Sequence, residues 1–206
     1  MLKTRYSFCF AVVFLSITAA SPVLADNPRV DIQTSYGDII VELYPDKAPL
    51  TVANFLRYVD DGFYSGTVFH RVIKNFMIQG GGFDEDLKQK PTRAPIKNEA
   101  NSGLSNARGT VAMARTGDPD SATAQFFINT STNGNTFLDF TAPTVRGWGY
   151  SVFGKVVKGM DVVDEIESAP TGPAGPFDKD APQGLIVIEK ISRVKTPSES
   201  ASTKGK

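Results

Sequence analysis

The chain has 206 residues, 41% of them hydrophobic, with 22 basic and 22 acidic side chains and a single histidine. That length supports one domain with a substantial core, or two small ones. Balanced charge leaves no global field to recruit nucleic acid or an anionic membrane surface.

Residues 1–25 differ in kind from the rest. Lys3 and Arg5 form a short basic start, Phe8 to Ala20 an apolar run, and Val23-Leu24-Ala25 a small-residue cleavage site. This is the layout of a secretory signal peptide, and its apolar run is too short to span a bilayer comfortably. Cleavage is expected between Ala25 and Asp26. Its removal takes away Lys3, Arg5 and the lone Cys9, leaving 22 − 2 = 20 bases against 22 acids. An exported chain without cysteine has no disulfides and relies on its core. A bacterial periplasm is the simplest destination, and no later segment approaches spanning length.

The expected domain runs from 26 to 194. Val30 to Thr34 and Ile39 to Tyr44 are β-rich runs joined by the turn signal Ser35-Tyr36-Gly37-Asp38. Pro49 opens a helical pattern in which Val52, Phe55, Leu56 and Val59 recur at helical steps. Asp60-Asp61-Gly62 ends it, although acids at a helix C-terminus oppose the dipole. Strands are predicted at Thr67 to Ile73 and Phe76 to Gln79. The Gly-, Pro- and Asn-rich stretch from Gly80 to Gly109 reads as a long surface excursion.

Further strands are predicted at Thr110 to Ala114, Gln125 to Asn129 and Tyr150 to Val157. Met160, Val163 and Ile166 mark a second short helix ended by Ala169-Pro170. Gly175 and Pro176 fall in a loop before the last strand, Leu185 to Val194. Residues 195–206 are polar enough to predict a disordered tail. About eight mostly antiparallel strands with two helices favour a mainly-β fold, a closed barrel capped by the helices.

The chemistry available is sparse. One histidine and no mature cysteine argue against the usual zinc sites, and no EF-hand spacing occurs. A Ser–His–Asp triad would have to use His70. Gly80-Gly81-Gly82 is followed by Asp84, Glu85 and Asp86, which would repel a phosphate. Neither a metal nor a cofactor is expected. The informative stretch is Val68 to Phe83. Alternation there puts Phe69, Arg71 and Ile73 on one strand face and His70 and Val72 on the other. A guanidinium pointed alongside apolar side chains asks for a partner or a ligand.

Phe69-His70-Arg71-Val72-Ile73 followed by Phe76-Met77-Ile78-Gln79-Gly80-Gly81 resembles the signature of the cyclophilin-type peptidyl-prolyl isomerases. Thr110 to Arg115 and Ser121 to Ile128 resemble the family's second and third motifs, and Val152 to Val157 with Gly159 to Val163 its late strand and helix. The likeness runs from about 30 to 194, in family order, and with the leader it is nearest to exported bacterial members.

The resemblance implies an eight-stranded antiparallel β-barrel with a helix at each end, and catalysis of X–Pro isomerisation in flexible or unfolded exported polypeptides. It makes Arg71 the catalytic arginine. Phe76, Met77, Phe127, Phe137 and Leu138 would line the proline pocket. Gln79 and Gln125 would bind substrate backbone, and Ala114 and Arg115 would border the groove. Tyr150 stands where many eukaryotic members carry histidine. Phe137 replaces a tryptophan that helps those members bind cyclosporin, which implies weak binding of the drug. The segment Thr141 to Gly149 is longer than its eukaryotic counterpart and holds Trp148, a residue not equated with that tryptophan.

Each assignment has a structural alternative. Arg71 would serve as an ion-pair residue, the apolar set as core, the two glutamines as partners for buried backbone, and Tyr150 as barrel filler. His70 is expected to be a packed or hydrogen-bonded strand histidine. The competing functions are a proline-peptide binding module or chaperone with little turnover, and a hydrolase using His70. With no exposed heptad or long apolar stripe, a monomer is the default.

Overall fold

The computed structural model describes residues 27–194, so the signal-peptide and tail readings lie outside the described residues. Strand β1 (Arg29–Thr34) and β2 (Gly37–Leu43) form a hairpin whose alternate residues Val30, Ile32, Ile39, Val41 and Leu43 are buried. Helix α1 (Pro49–Asp60) follows, then β3 (Thr67–Ile73), β4 (Met77–Asp84), β5 (Thr110–Met113) and β6 (Phe126–Asn129). After β7 (Val152–Lys158) come α2 (Met160–Glu167), β8 (Thr171–Ala174), β9 (Phe177–Pro182) and β10 (Val187–Arg193). Eight of the strands close a barrel in the order β1-β10-β3-β4-β6-β5-β7-β2, and every pairing is antiparallel. The expected mainly-β barrel with two helices is thus present.

Closure divides the apolar residues by strand face. Inward residues such as Ile39, Phe69, Ile78, Val111 and Phe126 join Phe55 of α1 and Val163 and Ile166 of α2 in one core. A second, smaller cluster of Met77, Ala112, Phe127 and Val152 lies on the opposite face of β4, β5, β6 and β7. Phe76, Leu138 and Tyr150 pack against it.

Distant residues complete α1. Ala48 supplies no side-chain cap. Instead the Glu99 carboxylate accepts the backbone N–H groups of Leu50 at 3.0 Å and Thr51 at 2.8 Å, placing an anion at the positive end of the helix. At the other end Asp60 receives two 2.7 Å bonds from Arg193, and Asp61 pairs with Arg93. The acids that oppose the dipole in sequence are therefore matched by cations from elsewhere. The bond from Arg193 holds the Asp60 carboxyl below its ordinary pKa.

Two expectations are corrected. First, β4 does not end at Gln79 but runs through the glycines to Asp84. Gly81 has φ 80, and a Cβ there would lie 2.8 Å from the Tyr64 ring and 2.9 Å from that of Phe126. The glycines are strand residues, Gly80 and Gly81 closed over by aromatic rings and Gly82 by the Gln125 side chain, not the start of a loop. The excursion that follows is also not all surface, because Asn98, Ala100 and Asn106 are buried. Secondly, Gly175 and Pro176 are the two-residue turn of an unexpected hairpin, β8–β9. Its polar, proline-containing strands carry little alternation, and tertiary packing against β3 sustains them.

Candidate functional site

A β-bulge creates the site. Phe69 pairs with Gly80 but Arg71 with Gln79, so β3 spends one more residue than β4 between those pairs. Strict alternation fails at that point. Phe69 and Val72 both enter the main core, while His70, Arg71 and Ile73 lie outside it. Arg71 therefore shares a face with Ile73, as expected, but not with Phe69. His70 does not point away from it; the two line the same cavity.

From Arg71 the register carries a row of side chains across four strands. Arg71 is opposite Gln79, Gln79 opposite Phe127, and Phe127 opposite Ala112. Directly opposed residues project to the same side of a sheet. The row lies on the outer barrel face, at a cavity of about 350 Å³. Arg71, Phe76, Met77, Gln79, Ala114, Arg115, Gln125, Phe127, Leu138 and Tyr150 all line it.

Phe137 does not. It sits in a 3-10 turn (Thr136–Leu138), 73% exposed, with its ring stacked on Phe76 at 5.8 Å. The turn sends Leu138 inward and Phe137 outward, to the rim. His70, Phe83 and Phe177 complete the lining and were missing from the sequence reading of the site. The bulge hid the first. The other two lie beyond the predicted end of β4 and in the unpredicted hairpin.

The polar groups form a chain. Arg71 Nη1 donates to Gln79 Oε1 at 3.4 Å, and Gln79 Nε2 donates to Gln125 Oε1 at 2.9 Å. Gln125 itself lies over Gly82, where any Cβ would fall 2.3 Å from its Cγ. On the far side Arg115 donates from Nε to the Gly149 carbonyl at 2.8 Å, and its guanidinium lies 4.5 Å from the Tyr150 ring centre. Tyr150 meets Phe127 edge-on at 5.7 Å. Tyr150 is thus a cavity wall and not barrel filler.

Buried amides support these walls from below. Asn135 donates from Nδ2 to the Phe76 carbonyl and to Asn129 Oδ1, both at 2.7 Å. Asn106 Nδ2 donates to Leu138 O at 3.1 Å and to Asp139 Oδ1 at 3.0 Å. Tyr150 N returns a bond to Leu138 O at 2.9 Å.

His70 is packed, as expected, but not by hydrogen bonds alone. It is 2% exposed, stacked on Phe177 at 5.3 Å and tilted against Phe83 at 4.6 Å. Burial pulls its pKa down to about 4, and the charge of Arg71 acts in the same direction. Its Nδ1 has no hydrogen-bond partner among the described residues. It is neutral at physiological pH and unsuited to serve as a strong base.

The whole is an apolar notch with a cation at one edge and a row of amides beside it. Such a notch has room for a small ring and amides able to bond an extended peptide, and the Arg71 guanidinium, bonded to Gln79 through Nη1, has further N–H groups to donate.

Comparison with known proteins places the chain in one family. The family model described as cyclophilin type peptidyl-prolyl cis-trans isomerase matches residues 29–200. The chain is 55% identical over 163 residues to peptidyl-prolyl cis-trans isomerase B of Escherichia coli, covering 79% of this chain and 98% of that one. It is 51% identical over 186 residues to peptidyl-prolyl cis-trans isomerase A of Dickeya dadantii, covering 89% and 95%. Among solved structures it is similar to a cyclophilin-type isomerase of Cryptosporidium parvum, with a TM-score of 0.63 and 28% identity, covering 83% of this chain and 99% of the other.

Proposed function

The chain belongs to the cyclophilin-type peptidyl-prolyl cis-trans isomerases, and from that premise we propose that it isomerises X–Pro bonds of exported polypeptides with Arg71 as its catalytic residue. The isomerase activity itself follows from the family and from relatives at 55% and 51% identity. The single observation behind the role of Arg71 is the register row that sets its guanidinium beside Gln79 and Phe127 at the edge of the apolar notch.

An X–Pro bond turns over a barrier of about 18–20 kcal/mol because amide resonance must be broken. Uncatalysed exchange takes on the order of tens to hundreds of seconds, which can limit folding. As the amide twists, the prolyl nitrogen becomes pyramidal and regains a lone pair. A donor at that nitrogen favours the twisted state over the planar one, the condition for catalysis. Arg71 supplies a cationic donor for that nitrogen. Met77, Phe127 and Leu138 hold the ring while Gln79 and Gln125 bind the flanking backbone. No bond is made or lost, so the reaction as proposed uses no nucleophile, metal or cofactor.

The leader-like residues 1–25 support export, with the bacterial periplasm as destination and folding of secreted proteins as the role. Among the described residues no helix is long and apolar enough to cross a membrane. The proposed working unit is a monomer. The test is turnover of a short X–Pro peptide in a protease-free assay, wild type beside Arg71→Ala. Loss of most activity with peptide binding retained is expected. Near-normal turnover sinks the catalytic role of Arg71 and favours a binding module.

A further inference from the structure

The β8–β9 hairpin carries an acid to the edge of the notch. Asp180 Oδ2 lies 3.8 Å from Arg71 Nε, while Arg71 Nη1 is held by Gln79 Oε1 on the other side. Phe177 and Ala181 bracket Asp180 in β9. Phe177 stacks on His70, the chain neighbour of Arg71, and Ala181 is buried. The hairpin is therefore anchored on both sides of the acid, directly against β3.

We propose that Asp180 is a positioning residue for Arg71: its carboxylate occupies the Nε side of the guanidinium and keeps the remaining donors turned toward the bound prolyl nitrogen. This rests on the catalytic reading of Arg71 and deepens it. An arginine side chain has several rotatable bonds, and that of Arg71 is 41% exposed. Without a second contact it samples orientations in which no donor meets the twisted amide. Gln79 accepts from one nitrogen at 3.4 Å and the Asp180 charge lies 3.8 Å from a second, so the two together bias the orientation of the group.

A purely structural reason for aspartate exists here. Asp180 has φ 63, a left-handed conformation that Asp and Asn tolerate better than most residues. Asparagine keeps that backbone preference and the side-chain shape but removes the charge. Asp180→Asn thus separates the two roles.

The experiment measures kcat and KM on an X–Pro peptide for wild type, Asp180→Asn, Arg71→Ala and the double variant, each at low salt and about 0.5 M salt. Asp180→Asn is expected to lower kcat about two- to fivefold at low salt with KM little changed. Added salt should lower wild-type kcat toward that of the variant, because it screens a partly exposed pair, and should leave the variant unmoved. In the Arg71→Ala background the same change should have no further effect. Full kcat in Asp180→Asn, or the same loss in both backgrounds, overturns the positioning role and leaves Arg71 untouched. Near-normal turnover of Arg71→Ala instead strikes the catalytic reading and the positioning role with it. A wild-type kcat indifferent to salt also overturns the proposal, without recourse to any variant.

Discussion

Asn135 donates from Nδ2 to the backbone carbonyl of Phe76 at 2.7 Å, tying the floor of the notch to a buried amide in the loop before Phe137. The same nitrogen bonds Asn129 Oδ1 at 2.7 Å, and Asn135 is 2% exposed. Removal of the amide strands acceptors in a site that water enters poorly. Asn135→Ala is expected to cost about 1–3 kcal/mol of stability and to raise KM, read by denaturant titration beside steady-state kinetics. Unchanged values in both would mean that this amide supports nothing.

Gly82 makes room for Gln125. Its Cβ would lie 2.6 Å from Gln125 Cδ and 2.7 Å from Nε2, so Gly82→Ala forces the amide out of its place. The bond from Gln79 Nε2 to Gln125 Oε1 is then lost. Since one such bond is worth about 0.5–1.5 kcal/mol, KM should rise roughly two- to tenfold while the barrel stays folded. Circular dichroism checks the fold and the isomerase assay the site; an unaltered KM would remove Gln125 from substrate binding.

His70 predicts an acid weakness. Its folded pKa is about 4, against 6.5 for the free side chain. Below pH 6.5 the unfolded chain takes up a proton that the folded chain refuses, so stability falls as pH drops toward 4 and this loss ends there. The difference corresponds to on the order of 3 kcal/mol. Asp60, depressed by Arg193, acts in the same direction at lower pH: its contribution is present above its unfolded pKa and is lost as pH falls through its lower folded value. His70→Gln should flatten the denaturation midpoint between pH 6.5 and 4. Equal slopes for variant and wild type would show that the imidazole is not the group responsible.

Phe137 stands at the rim, stacked on Phe76 and without a hydrogen-bonding edge. An indole there would add a donor at the mouth of the notch. Phe137→Trp is expected to tighten cyclosporin binding several-fold with X–Pro turnover preserved, measured by inhibition titration; identical inhibition of both proteins would refute the idea.

The sequence determined the parts whose physics is local. Alternation in Val30 to Thr34 and Ile39 to Leu43, helical spacing from Val52 to Val59, and Pro49 at the helix start are written within a few residues of one another, and those elements formed. The motifs around Arg71, Gln79, Gln125 and Phe127 also name residues that line one cavity. Tertiary structure decided what depends on register and on distant partners. The bulge beside His70 turned Arg71 off the face of Phe69 and brought the imidazole to the notch. Two glycines covered by aromatic rings and a third covered by Gln125 kept β4 extended to Asp84. Glu99 capped a helix whose own sequence offers no cap. The polar hairpin that carries Phe177 and Asp180 had no periodicity to announce it, because its stability comes from docking on β3. A single extra residue in one strand reverses the facing of every side chain beyond it, and nothing short of the paired strand reveals where that residue lies.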